Sequence, residues 1–286
     1  MPTTNNSSFA RWVRRRSSNY VSTQSPIVIG GSQRSGTTLL RVMLDSHPHI
    51  ACGPETSLLA GGFLPDKLAR RFDTTLEHVA ELHGAANDHA QFVELFLSDY
   101  ATRRGKQRWA EKTPQNIRHI GWILARFPKA KIIHVLRDGR DTVCSIRIHP
   151  RFRVVDGEKV PTGIRRPLES CIQSWLRDTA AGIQWRGSPQ YMEVRYEDLV
   201  AAPENTLRKL CTFLGEPWAE AMLHYHEERG SSRDPISFIT NVAATEPLKT
   251  GAVGRWKTDL TGDELKLFYS LASARMTELG YNLDES

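Results

Sequence analysis

Cysteine is scarce: four residues in 286, at Cys52, Cys144, Cys171 and Cys211. They are far apart and form no C-x-x-C pair, which excludes the disulfide framework of a small secreted domain and a cysteine-built zinc site. Free thiols are expected. No apolar run approaches the roughly 18 residues of a membrane span, and the basic N-terminus runs into Ser, Asn and Gln rather than an apolar signal core. The expectation is therefore a cytoplasmic protein with no integral membrane segment. The ten histidines include no H-E-x-x-H or similar ligand spacing, so no metal is expected. Internal repeats and low-complexity linkers are also missing from residues 26–286.

What is present is an ordinary globular composition, 40% hydrophobic and 24% charged, with a net charge of +6. The positive excess is confined to two stretches. Residues 1–25 and 147–166 each carry an excess of four, which leaves the rest slightly acidic. That distribution argues against a broad nucleic-acid-binding face, and no nucleic acid partner is expected. Residues 1–25, rich in Ser, Thr, Asn and Arg, read as a flexible basic arm. Residues 26–286 read as one domain. The 147–166 stretch, with Gly157 and Gly163 as pivots, reads as a basic flap or a plain exposed loop.

The apolar run Ile27-Val28-Ile29 before Gly30-Gly31 predicts a buried strand. Lys131–Leu136 and Tyr191–Val194 predict two more. Helical spacing predicts helices over about 37–46, 87–104, 114–126, 138–148, 166–185, 203–214 and 263–279, the last stopped by Gly280. Strands alternating with helices indicate an α/β fold, with a central mostly parallel sheet flanked by helices in three layers. The loops after Ile29 and Leu136 then face one crevice.

Gly31-Ser32-Gln33-Arg34-Ser35-Gly36-Thr37-Thr38 has the G-x-x-x-x-G spacing of a phosphate loop between a strand and a helix. Such a loop turns successive N–H groups and the positive helix end toward a phosphate. Thr37 stands where a nucleotide P-loop has lysine, and Arg34 supplies the cation instead, which argues against a kinase using ATP. A simple packing turn is the alternative for the glycines alone. A second block, Val135-Leu136-Arg137-Asp138-Gly139-Arg140-Asp141-Thr142-Val143-Cys144-Ser145, closes a strand with Arg137 and places Ser145 about two turns into the next helix. Surface pairs Arg137–Asp141 or Asp138–Arg140 are the competing explanation there.

The two blocks together resemble the 5′-phosphosulfate loop and 3′-phosphate site of sulfotransferases that use 3′-phosphoadenosine 5′-phosphosulfate (PAPS). Met43-Leu44-Asp45-Ser46-His47-Pro48 and Cys52-Gly53-Pro54-Glu55-Thr56 are similar to the tyrosylprotein sulfotransferase branch. Lys249-Thr250-Gly251-Ala252-Val253-Gly254-Arg255-Trp256-Lys257 partly matches the family's late glycine loop. The resemblance implies a P-loop-like fold and PAPS as sulfuryl donor without metal. It also implies Gln33, Arg34, Ser35, Gly36, Thr37, Thr38, Arg137, Ser145, Tyr196, Lys249, Gly251 and Arg255 as donor-binding residues.

By the same resemblance, Glu55 is the general base, while Arg34 and Lys112, in Glu111-Lys112-Thr113-Pro114, stabilise the transferring group. Cytosolic relatives use a histidine base, so His47, His49 and His134 are alternatives. The acceptor would carry a hydroxyl, on a small molecule, glycan, lipid or peptide tyrosine. Pro54 and Ser57 replace an acid and an arginine of the tyrosylprotein pattern, which leaves the choice among these open. A non-catalytic nucleotide- or polyanion-binding protein on the same fold is the reading of a different class. The sequence does not address oligomeric state.

Overall fold

The computed structural model describes residues 19–150, 152–155, 158–227 and 251–283. Five parallel strands form its centre. β1 (Ile27–Gly31), β2 (Ile50–Cys52), β3 (Arg108–Lys112) and β4 (Lys131–Leu136) are joined, after a separate antiparallel hairpin of β5 (Phe152–Val155) and β6 (Glu158–Pro161), by β7 (Tyr191–Arg195). The sheet order is β2-β3-β1-β4-β7, and every pair in it is parallel. Ile29 is in register with Lys112 and Gly31 with Val135. The carboxyl ends of β3, β1 and β4 therefore share one edge, where Lys112, the glycine loop and Arg137 emerge together.

The helices are α1 (Thr37–Asp45), α2 (Pro65–Arg71), α3 (Leu76–Ala85), α4 (His89–Arg103), α5 (Ile120–Arg126), α6 (Gly139–Ile148), α7 (Leu168–Ile183), α8 (Tyr196–Ala201), α9 (Pro203–Leu214), α10 (Trp256–Asp259) and α11 (Gly262–Glu278). Alternate residues of a strand face opposite sides, and both sides are covered. Val28, Trp109 and Ile132 pack with Phe92 and Phe96 of α4. Ile27, Ile29, Ile133 and Val135 pack with Leu40 and Met43 of α1 and Leu207 and Leu210 of α9. A third cluster joins α6, α7 and α11 through Val143, Trp175 and Phe268. The α/β architecture, with its all-parallel central sheet, is thus as expected.

Several local expectations are corrected. Residues 19–25 are docked: the Ser22 amide donates to the Arg126 carbonyl at 2.8 Å, Tyr20 Oη donates to Glu94, and Gln24 Oε1 accepts from Trp109 Nε1 at 2.8 Å. The basic-arm reading otherwise falls on residues 1–18, outside the described residues. The helix expected over 114–126 divides at His119 into a 3-10 turn, Pro114–Arg118, and α5. The 147–166 stretch contains the β5–β6 hairpin; Gly157 lies outside the described residues. Strands β2 and β3 and helices α2, α3, α8 and α10 were not expected either. β2 has only three residues, and β3 places a glutamate and a lysine inside the sheet.

α7 approaches β4 closely at one point. A Cβ on Gly182 would lie 2.2 Å from His134 Nδ1. His134 is fully buried, its Nδ1 is 2.6 Å from Tyr191 Oη, and burial, reinforced by the Arg186 charge, pushes its pKa down to about 3. The imidazole therefore packs as a neutral ring. Gly182→Ala is expected to cost about 2–3 kcal/mol of stability through overpacking, read by urea unfolding. Wild-type stability should also fall as pH drops from about 6.5 toward 3, because the unfolded histidine takes up a proton that the folded one refuses.

Candidate active site

The loop after β1 is shaped by its own hydrogen bonds. The Ser35 amide and hydroxyl both donate to the Ser32 carbonyl, at 3.2 and 2.7 Å. Ser35 thus helps to build the turn through its own hydroxyl. Arg34 has φ +69° and Gly36 φ +98°, both left-handed. A Cβ on Gly36 would also meet Tyr196 Cδ2 at 2.4 Å, so glycine is required there by backbone and by space. Tyr196 opens α8 rather than merely ending a strand, and its ring lies between Gly36 and the Arg137 guanidinium, 4.5 Å from the ring centre. Thr37, buried, begins α1; Gln33 and Thr38 are half-buried.

The two expected phosphate blocks meet. Arg34 Nε donates to Ser145 Oγ at 3.1 Å, and Arg137 Nη1 donates to the Arg34 carbonyl at 3.0 Å. Arg137 Nη2 donates to the Ala252 carbonyl, which brings in the late glycine loop, while its buried Nε has no hydrogen-bond partner. Asp141 fastens that loop by accepting from the Gly254 and Trp256 amides at 2.8 and 3.0 Å. Asp141 is not paired to Arg137. Asp138 and Arg140 do form an ion pair, at 2.7 Å, but a buried one. Burial and then the charges of Arg137 and Arg255 push the Arg34 pKa down. This crowding of cations is a site prepared for an anion. Arg255 is held by Asp259, Gly251 is an exposed turn residue, and Lys249 lies outside the described residues.

Beside the loop, the buried Lys112 ammonium reaches two groups: the Glu55 carboxylate, in direct contact, and Thr38 Oγ1 at 3.2 Å. The Glu55 side chain is 40% exposed, that of Lys112 only 3%. Burial raises the Glu55 pKa, but the Lys112 charge and hydrogen bond, with Arg71 and Arg41, outweigh it and hold the carboxyl below its ordinary value. Glu55 is therefore ionised at neutral pH, as a proton acceptor must be.

Arg71, on α2, donates to the Glu55 carbonyl at 2.9 Å. It belongs to no motif, and only the fold brings it here.

The alternative bases are placed elsewhere or occupied. His47 Nε2 is paired with the Pro217 carbonyl at 2.9 Å and its Nδ1 accepts the His49 amide; His49 Nδ1 is paired with Glu216 at 3.0 Å. These three side chains are near enough to share a metal ion, yet they are already bonded to one another and to backbone. His134 is sealed under α7. His149, at the end of α6, escaped the sequence reading. Burial, then the Arg34 and Arg166 charges, lower its pKa, with Glu55 opposing, so it lies in the electrostatic field of the site. All four cysteines are buried free thiols, and among the described residues no helix is long and apolar enough to cross a membrane.

The sulfotransferase family model matches residues 26–220. The chain belongs to the sulfotransferase family. It is 28% identical over 268 residues to a protein-tyrosine sulfotransferase of Drosophila melanogaster, covering 90% of this chain and 51% of that protein. It is 27% identical over 264 residues to protein-tyrosine sulfotransferase 1 of Danio rerio, covering 90% and 72%. The chain thus spans about half the length of the fly relative. Among solved structures, the sulfotransferase domain of the Synechococcus PCC 7002 olefin synthase superposes with a TM-score of 0.66 at 22% identity, covering 93% of this chain and 98% of that one. Mouse sulfotransferase SULT7A1 complexed with PAP gives 0.55 at 16% identity, covering 91% and 88%. These structures share the fold of this sulfotransferase.

Replacing Lys112 by Ala should lower turnover by about 100-fold. It should also move the acid limb of the pH–rate profile to higher pH, because Glu55 loses the cation that holds its pKa down. Rates measured from pH 4 to 8 check both effects.

Proposed function

We propose that this sulfotransferase transfers a sulfuryl group from PAPS to an acceptor hydroxyl, with Glu55 as general base. The observation that carries the proposal is Lys112, one buried ammonium bonded both to Glu55 and to Thr38 at the start of the phosphate-loop helix. It ties the proton acceptor to the anion cradle. The donor supplies a sulfur atom made electrophilic by a phosphate leaving group. As the acceptor oxygen bonds to that sulfur, its proton passes to the Glu55 carboxylate and the sulfur–oxygen bond to the phosphate breaks. Negative charge develops on the departing phosphate oxygen, which Lys112 and Arg34 would stabilise. No magnesium is invoked, since these cations neutralise the charge.

Donor identity is supported by the cations around Ser145 and by the PAP complex of the mouse neighbour. Arg137 has a buried Nε without a partner, a donor suited to a second phosphate on the ribose 3′ side. ATP lacks that phosphate, and the loop lacks the lysine that ATP enzymes place at position 37.

The names of the curated relatives support peptide tyrosine as one acceptor. Small-molecule, glycan and lipid hydroxyls belong to the same proposal, because Pro54 and Ser57 replace the charged neighbours of the base. A reducing compartment such as the cytoplasm fits the four thiols.

The test is a panel of tyrosine peptides, phenols, sugars and lipid alcohols with PAPS, read by PAP release and by the mass gain of a sulfuryl group. Tighter binding of Mg-ATP than of PAP, or no PAP release with any acceptor, overturns the proposal. Glu55→Gln should lower kcat by about 100-fold or more with PAP affinity retained. Arg137→Ala should weaken PAP by about 10-fold or more while changing adenosine 5′-phosphate little; equal losses on the two nucleotides would remove the assigned 3′ site.

A further inference from the structure

β3 carries two charged residues in succession, and strand alternation turns them to opposite faces. Lys112 enters the site described above. Glu111, 1% exposed, points the other way inside the sheet, where an aliphatic side chain would avoid the cost of burying a charge. All its bonds go to segments that carry the site. Its Oε1 accepts from the Thr56 amide at 3.2 Å, Thr56 Oγ1 at 2.7 Å and Thr113 Oγ1 at 2.7 Å. Its Oε2 accepts from Asn116 Nδ2, whose other proton goes to the Ile29 carbonyl at 3.2 Å, just before the phosphate loop.

The loop after β2 has no ladder hydrogen bonds to hold it, yet it presents Glu55. Thr56, the next residue, gives both its amide and its hydroxyl to Glu111. Ser57, strained at φ +62°, donates its amide to Thr113 Oγ1 at 3.1 Å, and Thr113 is itself anchored on Glu111. Together with the Arg71 bond to the Glu55 carbonyl, the His89 bond to the Leu58 carbonyl at 2.8 Å and the burial of Leu58 and Leu59, this cluster fixes the base loop.

We propose that Glu111 is a positioning residue: its buried carboxylate, clamping Thr56, Thr113 and Asn116, sets Glu55 against Lys112. The inference rests on the reading of Glu55 as the base. Without Glu111 the loop relaxes, Glu55 moves from its cation, and its proton affinity rises as its geometry worsens. Donor binding, made by other segments, is left in place.

Four proteins test this: wild type, Glu111→Gln, Asn116→Asp and the double variant. PAPS and 4-nitrophenol serve as substrates, with PAP release, PAP affinity and thermal unfolding measured for each. In Glu111→Gln the new amide must confront the Asn116 amide if its oxygen keeps the three donors; Asp at 116 accepts from it. Glu111→Gln should lower kcat by about 30-fold, with KM for PAPS within about 3-fold, and the double variant should regain at least about 5-fold of that loss. The acid limb of kcat should move to higher pH in Glu111→Gln. A folded Glu111→Gln with wild-type kcat, or a double variant with no recovery, overturns the proposal. If Glu111→Gln does not fold, Thr113→Val replaces it: the same upward move of the acid limb supports the proposal, and an unmoved limb overturns it. Failure of the underlying reading looks different: wild type would release no PAP, or Glu55→Gln would retain turnover.

Discussion

A buried ammonium in the carboxyl end of a central strand is the constraint around which the site is arranged. An isolated charge at the depth of Lys112 would be expelled or neutralised, so it must keep an anionic partner and a hydrogen-bond acceptor within reach. Glu55 and Thr38 meet that demand from two different loops. The same electrostatic necessity that permits the lysine to be buried draws the Glu55 loop toward the phosphate loop. Stability and geometry therefore come from one contact, and the acidity of Glu55 follows from it.

The second organising force is repulsion. Burial first, then the charges of Arg137 and Arg255, depress the basicity of Arg34. The surrounding structure tolerates this because backbone carbonyls at Arg34 and Ala252 take up donors of Arg137 and because Asp259 holds Arg255. A doubly phosphorylated donor would relieve the remaining strain. Free energy spent on assembling the cations during folding is thus recovered on binding, when they need no reorganisation.

The fold was legible where burial is expressed in apolar residues. β1 opens as an apolar run and β4 is one interrupted by His134, and α1 and α9 show the spacing of a single buried face. β3 was opaque because Glu111 and Lys112, its most consequential residues, are those that an apolar pattern would reject. The same residues that make the strand functional hide it. In the site, Arg34, Arg137 and Ser145 lie in compact motifs, and their proximity was inferable from a common sheet edge. Ser35 was assigned by motif, and its hydroxyl bonds the Ser32 carbonyl within the loop. Arg71, Asp141 as a loop fastener and His149 act through contacts that depend on tertiary register, so no local spacing announces them.

Asp141 holds the Gly254 and Trp256 amides more than a hundred residues away, beyond residue 220 where the family match ends. The recognisable unit and the working unit therefore do not coincide. A fragment cut at the limit of family similarity would retain the strands, the phosphate loop and Glu55, yet would lose the backbone that caps Arg137. For gene fusion, domain grafting or minimal-enzyme design, the boundary of this catalyst belongs after α11, whose Phe268 and Met276 complete the core beside α6 and α7.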